Sequence, residues 1–411
     1  MSKKFEITRL GHLGDGVADG PVYAPRTLPG EIVSGQQNGP QLTDVRIETP
    51  SPHRIQAPCR HYRACGGCQL QHADDGFVAG WKQEIVRLAM AAHGLESSLR
   101  PIVTSPIQSR RRATFAARRT KKGALVGFHG RASGIITEIP DCQLLDPELL
   151  AAIPVAEELA RVGASRKNAL AVTVTISKAG LDIAVSGGKP LDGPLELSLA
   201  QVTEQFGLAR LAWEGEQIAM RHPPTQSFGN AQVVPPPGAF LQATREGETA
   251  LLAGVKEITA GARRIVDLFA GCGTFTLPLA EQAELHAYEG DRDMIRALDA
   301  GWRNAQGLKK VTSITRDLFR RPLMPDELNP FGAAFEAAVV DPPRAGADAQ
   351  ISQLAQARTP VIAYVSCNPV TFARDAAVLT GAGYILDWVQ VVDQFRWSPH
   401  VELVAALNLP C

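Results

Sequence analysis

In the stretch VSCNPVTFARD, Val365 to Asp375, a cysteine sits where an apolar run gives way to a helix start. The preceding TPVIAYVSC reads as a buried strand, and Asn368-Pro369 supplies an N-cap followed by proline at the first helical position. Partial positive charge and free amides at a helix N-terminus lower a thiol's pKa, so Cys367 is expected to be a nucleophilic thiolate. A buried structural cysteine is the other reading of that position. In HVELVAAL, Glu402 enters an apolar strand, where an unpaired carboxylate is expensive to bury. It is therefore either a surface residue at a sheet edge or a general base with a raised pKa.

Two further motifs supply ligand chemistry. VDLFAGCGTFTLPLA, Val266 to Ala280, reads as strand, glycine turn and helix, with Gly271 and Gly273 admitting close backbone approach. Glu289 closes the next strand about 20 residues on, where a carboxylate can accept both ribose hydroxyls of an adenosine. The third glycine of a dinucleotide fingerprint is missing, which favours S-adenosylmethionine over NAD. VVDPPRAG ends another strand with Asp341 and a stiff proline pair that has no amide hydrogens. A thiolate, a methyl sulfonium and a carboxylate are together the parts needed to methylate carbon 5 of a pyrimidine. That carbon is a poor nucleophile until a group adds at carbon 6, the step Cys367 would perform. A base such as Glu402 would then remove the C5 proton.

These residues need a scaffold that brings strand ends together. From about residue 240 the pattern alternates strand and helix, RRIVDLF, LHAYEG, DMIRALDAGWRNAQG, VTSITRD, EAAVVDPP and VIAYVSC, which predicts a doubly wound α/β domain. Ligands in such sheets bind at the carboxyl ends of the strands, where Glu289, Asp317, Asp341 and Cys367 all fall. Residues 5–49 break into short strands between Gly and Pro, which predicts a small all-β barrel. A cysteine-rich stretch and the helical GWKQEIVRLAMAAHGL follow. Residues 101–225 read as β-rich with one helix around DPELLAAIPVAEELARVGA, and VVPPPGAF marks a boundary.

Composition bounds the function classes. The 411 residues carry no apolar run long enough to span a bilayer and no apolar h-region behind the N-terminal lysines, so the expected location is cytoplasmic. Seven cysteines in a reducing compartment point to metal binding or catalysis rather than disulfides. A net charge of zero gives no support to nucleic-acid binding by itself. The segment from Ser109 to Gly123, however, carries seven Arg and Lys and no acidic residue, so it reads either as a phosphate-contacting surface or as a solvated hairpin. Cys59, Cys65 and Cys68 form C-x5-C-G-G-C, with Cys142 further on. Four such thiolates suit either zinc or an iron–sulfur cluster.

Taken in order, LGHLGDGVADG, FLQAT, DLFAGCGTFTLPLA, DPPRAG, SCNPVTFARD and FRWSPHVE resemble the motifs of the bacterial RNA 5-methyluridine methyltransferases, and specifically of their iron–sulfur, TRAM-bearing branch. The resemblance covers nearly the whole chain. It implies a TRAM/OB-like β-barrel over 1–50, a β-rich central domain with a four-cysteine cluster over 51–235, and a Rossmann-like methyltransferase domain over 236–411. It implies Cys367 as nucleophile and Glu402 as base. Gln242, Phe269, Thr274, Glu289, Asp317 and Asp341 would surround S-adenosylmethionine, and Cys59, Cys65, Cys68 and Cys142 would hold a [4Fe-4S] cluster. The implied partner is RNA, with 23S ribosomal RNA as the expected substrate, acted on by a monomer. Transfer RNA methylation and a non-catalytic, metal-stapled RNA-binding protein are the alternatives. Cytosine as target is disfavoured because such enzymes use two cysteines, and here only Cys272 and Cys411 accompany Cys367 in the C-terminal half. Thr244, Arg396 and Ser398 depart from the family pattern and are expected to bear on the substrate side.

Overall fold

The structure, a computed structural model, describes residues 3–330 and 335–410; Cys411 lies outside them. The N-terminal strands Lys4–Leu10, Gly16–Ala18, Val22–Ala24, Ile32–Asn38 and Gln41–Thr49 close into a five-stranded barrel. Inward-pointing side chains fill it, among them Phe5, Ile7, Val22, Val33 and Leu42. Closure removes the sheet edges that such short strands would otherwise expose.

A seven-stranded sheet forms the middle of the molecule, built around the antiparallel neighbours Arg112–Arg119, Leu170–Ser177 and Gly180–Ser186. Two helices cover it. Ala152–Gly163 is the one expected from the sequence. Gly193–Gln205 is an addition to that expectation; Asp192 caps it by accepting from the Leu195 amide, and Leu195, Leu199 and Val202 form its buried stripe. That stripe is weak because a polar residue follows almost every apolar one, and the surrounding β-rich pattern hides it.

The C-terminal sheet has eight strands in the order Val311–Thr315, Glu284–Glu289, Arg264–Leu268, Ala337–Val340, Val361–Ser366, Glu402–Asn408, Ile385–Asp393 and Ser98–Thr104. The first five run parallel, as the alternating pattern predicts, and Glu402–Asn408 runs antiparallel to both of its neighbours. The edge strand Ser98–Thr104 comes from the segment assigned to the central region and pairs in parallel with Ile385–Asp393. The helix Asp75–Ala91 lies against the same end of the sheet, with Val86 and Met90 in the core beneath Tyr384, Leu386 and Val389. The hairpin Gln226–Phe228 and Ala231–Val233, also upstream of the expected boundary, packs on the helix Arg292–Asn304, where Gly301 leaves room for Val233. No helix among the described residues is long and apolar enough to cross a membrane.

Candidate active site

The parallel strands all deliver their carboxyl ends to one edge of the sheet, and the residues singled out from the sequence follow those ends. Phe269, Glu289, Asp317, Asp341 and Cys367 come from five successive strands. Glu402 arrives differently. Its strand is reversed, so its first residue lands where the others finish. Together with Gln242 and Thr274 these side chains line a single cavity of about 620 Å³, which Phe240, Phe319, Pro342, Arg344 and Phe395 help to enclose. All eight predicted catalytic and cofactor residues are thus brought to one place.

Local structure fixes each of them. Asn368 caps the helix Pro369–Gly381 by accepting from the Val370 amide at 3.1 Å, and its Nδ2 donates to the Arg344 carbonyl at 2.9 Å. The Cys367 turn and the Asp341-Pro-Pro-Arg turn are therefore pinned to each other. Gly271 and Gly273 both take positive φ, and a Cβ on Gly273 would meet Leu277 at 2.9 Å and Leu298 at 3.1 Å. Phe269 also sits at positive φ, 65°, which aims its ring at Phe319 across 5.4 Å. Glu289 accepts the Gly271 amide at 3.0 Å and the Asp291 amide at 2.9 Å, which sets its carboxylate at the rim of the glycine turn. Asp317 accepts from the Phe319 and Arg320 amides.

The field inside is negative. Burial, with Asp267 and Glu289 nearby, pushes the Asp341 carboxyl up to about 7. Burial and the Asp341 charge push Glu402 well above the carboxylate range, against the Gln394 hydrogen bond and Arg344. Of the two readings open for Glu402, the structure selects the enclosed carboxyl with a raised pKa; it is 3% exposed. The expectation for Cys367 is reversed. Burial and the charges of Glu402 and Asp341 outweigh Arg344 and the helix amides, and the thiol is pushed up to about 11. Beneath the glycine turn, Asp267 is fully buried, and its Oδ1 has no hydrogen-bond partner among the described residues. An acidic cavity with an unsatisfied carboxylate oxygen below its floor fits the cationic S-adenosylmethionine. Glu289, Asp317, the glycine turn, Gln242, Thr274, Asp341 and Cys367 all line this one cavity.

Sequence reading overlooked three residues here. Arg344 touches His400, with Nη2 3.0 Å from Nδ1, and its charge acts on both Cys367 and Glu402. Gln394 donates to Glu402 Oε2 at 3.1 Å and to Gln242 Oε1 at 2.5 Å. Lys82, wholly buried, reaches Asp393 Oδ1 at 2.5 Å and the Phe395 carbonyl at 3.1 Å. Arg344 lies inside DPPRAG and Gln394 directly precedes FRWSPHVE, whereas Lys82 lies on a helix more than three hundred residues away and had no local signal.

Of the three departures from the family pattern, Thr244 and Ser398 are buried and Arg396 is half-buried. Thr244 is buried, caps the helix Arg245–Ile258 by accepting from the Gly247 amide at 3.0 Å, and meets Ser105 Oγ at 2.7 Å. Arg396 pairs with Asp75 at 2.6 Å and donates to the Ser105 carbonyl. Ser398 accepts from the His400 amide at 3.3 Å. The arginine cluster is likewise only half a surface. Arg111 is buried against Glu248 and donates to the Gln242 carbonyl, Arg112 donates to the Gly238 carbonyl, and Phe115 is core, stacked on Phe128. Lys121 and Lys122 remain exposed.

Cys59, Cys65, Cys68 and Cys142 line one small cavity with Phe128, Ile139 and Leu144. Burial raises the thiols of Cys65, Cys68 and Cys142, Cys68 to about 12, and each charge there would raise its neighbours further. No group of three or more His, Cys, Asp or Glu among the described residues is drawn together tightly enough to hold a metal ion. The donor chemistry is that of a soft metal site, four sulfurs in an apolar pocket, without the closed geometry.

The tRNA (Uracil-5-)-methyltransferase family pattern matches residues 305–408, which contain Asp317, Asp341, Cys367 and Glu402. An uncharacterized RNA methyltransferase of Rhizobium meliloti is 43% identical over 98% of each chain. The 23S rRNA (uracil(1939)-C(5))-methyltransferase RlmD of Halomonas elongata is 33% identical over 99% of this chain and 90% of its own. Among solved structures, the tRNA (uracil-54, C5)-methyltransferase of Pyrococcus abyssi in complex with S-adenosyl-L-homocysteine shares the fold, with a TM-score of 0.76 over 98% of this chain and 99% of its own at 23% identity.

Proposed function

The chain belongs to the S-adenosylmethionine-dependent RNA (uracil-C5)-methyltransferase family, and from that premise we propose that it methylates carbon 5 of uridine in 23S ribosomal RNA through a transient bond from Cys367 to carbon 6. The observation that carries the reading is the convergence of Cys367, Glu402 and Asp341 on one cavity, with Gln394 behind Glu402 and Arg344 beside Cys367. Family membership sets aside a non-catalytic role.

In this reading the Cys367 thiolate adds to C6, and the C5–C6 electrons move to the carbonyl side as an enolate. Because the free thiol sits near 11, adduct formation needs its proton to leave the sulfur; the Asp341 carboxylate would accept it, and the guanidinium of Arg344 would stabilise the thiolate. S-adenosylmethionine would be held among Gln242, Phe269, Thr274, Glu289, Asp317 and Asp341 and would supply an electrophilic methyl group to C5, with S-adenosylhomocysteine as the leaving group. Once C5 is methylated, Glu402 takes the C5 proton, the double bond re-forms, the C6–S bond breaks and the thiolate is regenerated. A carboxyl whose pKa is raised by its surroundings suits that transfer near neutral pH. Asp341, near 7, would lie beside the base ring and share a proton with a carbonyl oxygen or ring N–H; its support is that it lines the same cavity as Cys367 and Glu402.

The barrel over 1–50 and the central region over 51–235 would present RNA to the methyltransferase region over 236–411. Cys59, Cys65, Cys68 and Cys142 would hold a [4Fe-4S] cluster as a structural clamp; the support is that all four line one apolar cavity. Ribosomal RNA is favoured by the 33% identity to RlmD, and transfer RNA is the second reading, favoured by the family pattern. The test uses anaerobically purified protein, S-adenosylmethionine and unmodified 23S and transfer RNA, with 5-methyluridine mapped by mass spectrometry. Product in one 23S fragment, absent with Cys367→Ala, is expected. Product only in transfer RNA would replace the substrate, and no product in either RNA would overturn the reaction.

A further inference from the structure

Gln394 follows directly on the strand Ile385–Asp393 and is 1% exposed. Its amide is fully engaged. Oε1 accepts the Ala243 amide at 2.7 Å, while Nε2 donates to Gln242 Oε1 at 2.5 Å and to Glu402 Oε2 at 3.1 Å. A backbone N–H can only donate, so Ala243 decides which end of the Gln394 amide is oxygen, and the nitrogen must face the two acceptors. The side chain stands behind the cavity wall, formed there by Gln242 and Glu402.

The surroundings are built to admit it. In the first turn of the helix Arg245–Ile258, Gly247 lies so close that a Cβ there would meet Gln394 Cβ at 2.7 Å and Oε1 at 3.2 Å. Glycine inside a helix is unfavourable, and here it makes room for this glutamine. From the other side, Lys82 holds Asp393 and the Phe395 carbonyl, the residues flanking Gln394. Both neighbours are fixed, so the amide has one place to point.

We infer that Gln394 is a positioning residue for proton removal from C5, its amide nitrogen holding the Glu402 carboxyl and the Gln242 amide in one hydrogen-bonded unit. The inference rests on the proposed role of Glu402 as base. Donation to Oε2 stabilises the ionised carboxylate that must accept the proton, and it leaves Oε1, which has no partner among the described residues, for the substrate side. Donation to Gln242 occupies that amide's oxygen, so Gln242 presents its Nε2 donors to the cavity. When Glu402 takes the proton, the C5–H electron pair re-forms the C5–C6 double bond and sulfur leaves C6 with the C–S pair. Slowing this step leaves methylated RNA covalently held on Cys367. Besides Gln394, the groups facing Glu402 are Asp341 and Arg344 from one turn and Cys367 from another.

The experiment follows single turnovers with methyl-labelled S-adenosylmethionine, measuring methyl transfer and the decay of the denaturant-resistant protein–RNA adduct separately. Gln394→Met is expected to slow adduct decay roughly ten- to a hundredfold as a charged hydrogen bond is lost, well beyond any change in methyl transfer or S-adenosylmethionine affinity that follows from freeing Gln242, and to move the pH midpoint of decay alkaline. Gln394→Asn, an amide one methylene short of Glu402, is expected to behave likewise and serves if the first variant is unstable. Unchanged decay in a folded variant, or a defect confined to S-adenosylmethionine binding, would overturn the inference. Glu402→Gln is the separate control. Should that variant release product at the normal rate, the role of Glu402 fails. If it traps the adduct while both Gln394 variants do not, only the role of Gln394 fails.

Discussion

Cys367 shows how far a residue's neighbours can reverse its local chemistry. The helix start that follows it favours a thiolate, yet burial together with Glu402 and Asp341 pushes the thiol up to about 11. The thiol form is therefore expected to dominate near neutral pH in the ligand-free protein. Iodoacetamide alkylation of Cys367, read peptide by peptide in mass spectra, is therefore expected to accelerate about tenfold per pH unit from about pH 7 to 10. Glu402→Gln removes a negative charge beside the sulfur and should lower the midpoint. A plateau near pH 8 in the unmodified protein would show that the helix terminus prevails after all.

Among the elements, the helix Asp75–Ala91 holds the loop that leads into the Glu402 strand. Lys82 on its inner face forms a fully buried pair with Asp393, and Asp75 in its first turn takes Arg396. The carbonyl of Trp397, which sits at positive φ, accepts the Gln69 and Leu70 amides, so the cysteine-rich segment is tied to the same loop. Burial pulls the Lys82 ammonium down and Asp393 opposes it, which makes the pair costly to break from one side. Lys82→Ala is expected to lose about 3 to 5 kcal/mol in urea unfolding, whereas Lys82→Met combined with Asp393→Leu should recover much of that loss. A loss below about 1 kcal/mol for the single change would mean that water reaches the pair.

The whole molecule joins the barrel to the central region across a second cavity, of about 740 Å³, lined by Arg26, Arg54, Arg60, Arg63, Tyr62 and Asp44. Arg54 is committed to Glu31 and Arg60 to Asp141, but Arg63 is exposed and has no acidic partner among the described residues. With net charge zero, RNA affinity must come from such local concentrations of cation rather than from the overall balance. Arg63→Glu is expected to weaken RNA binding uniformly and to reduce the salt slope by about one, as one phosphate goes unneutralised, leaving S-adenosylmethionine binding intact. Filter binding across a salt series measures it. An unchanged slope would place the RNA path elsewhere.

Much of the site was legible in sequence because doubly wound sheets deliver strand ends to one edge, so Glu289, Asp317, Asp341 and Cys367 could be placed from spacing alone. Short turn-rich strands likewise announced the barrel, and the motif order announced the family. What the chain order could not reveal was set by contacts between distant segments. The direction of the Glu402 strand, the capture of Ser98–Thr104 by the C-terminal sheet, and the inward turn of Arg111 and Arg112 each depend on a partner far away in the chain. So do the charges around Cys367 and the hydrogen bonds of Gln394. A side chain's type and local periodicity are properties of sequence, whereas the field and hydrogen-bond partners that tune it exist only once burial has removed water and brought distant segments into contact.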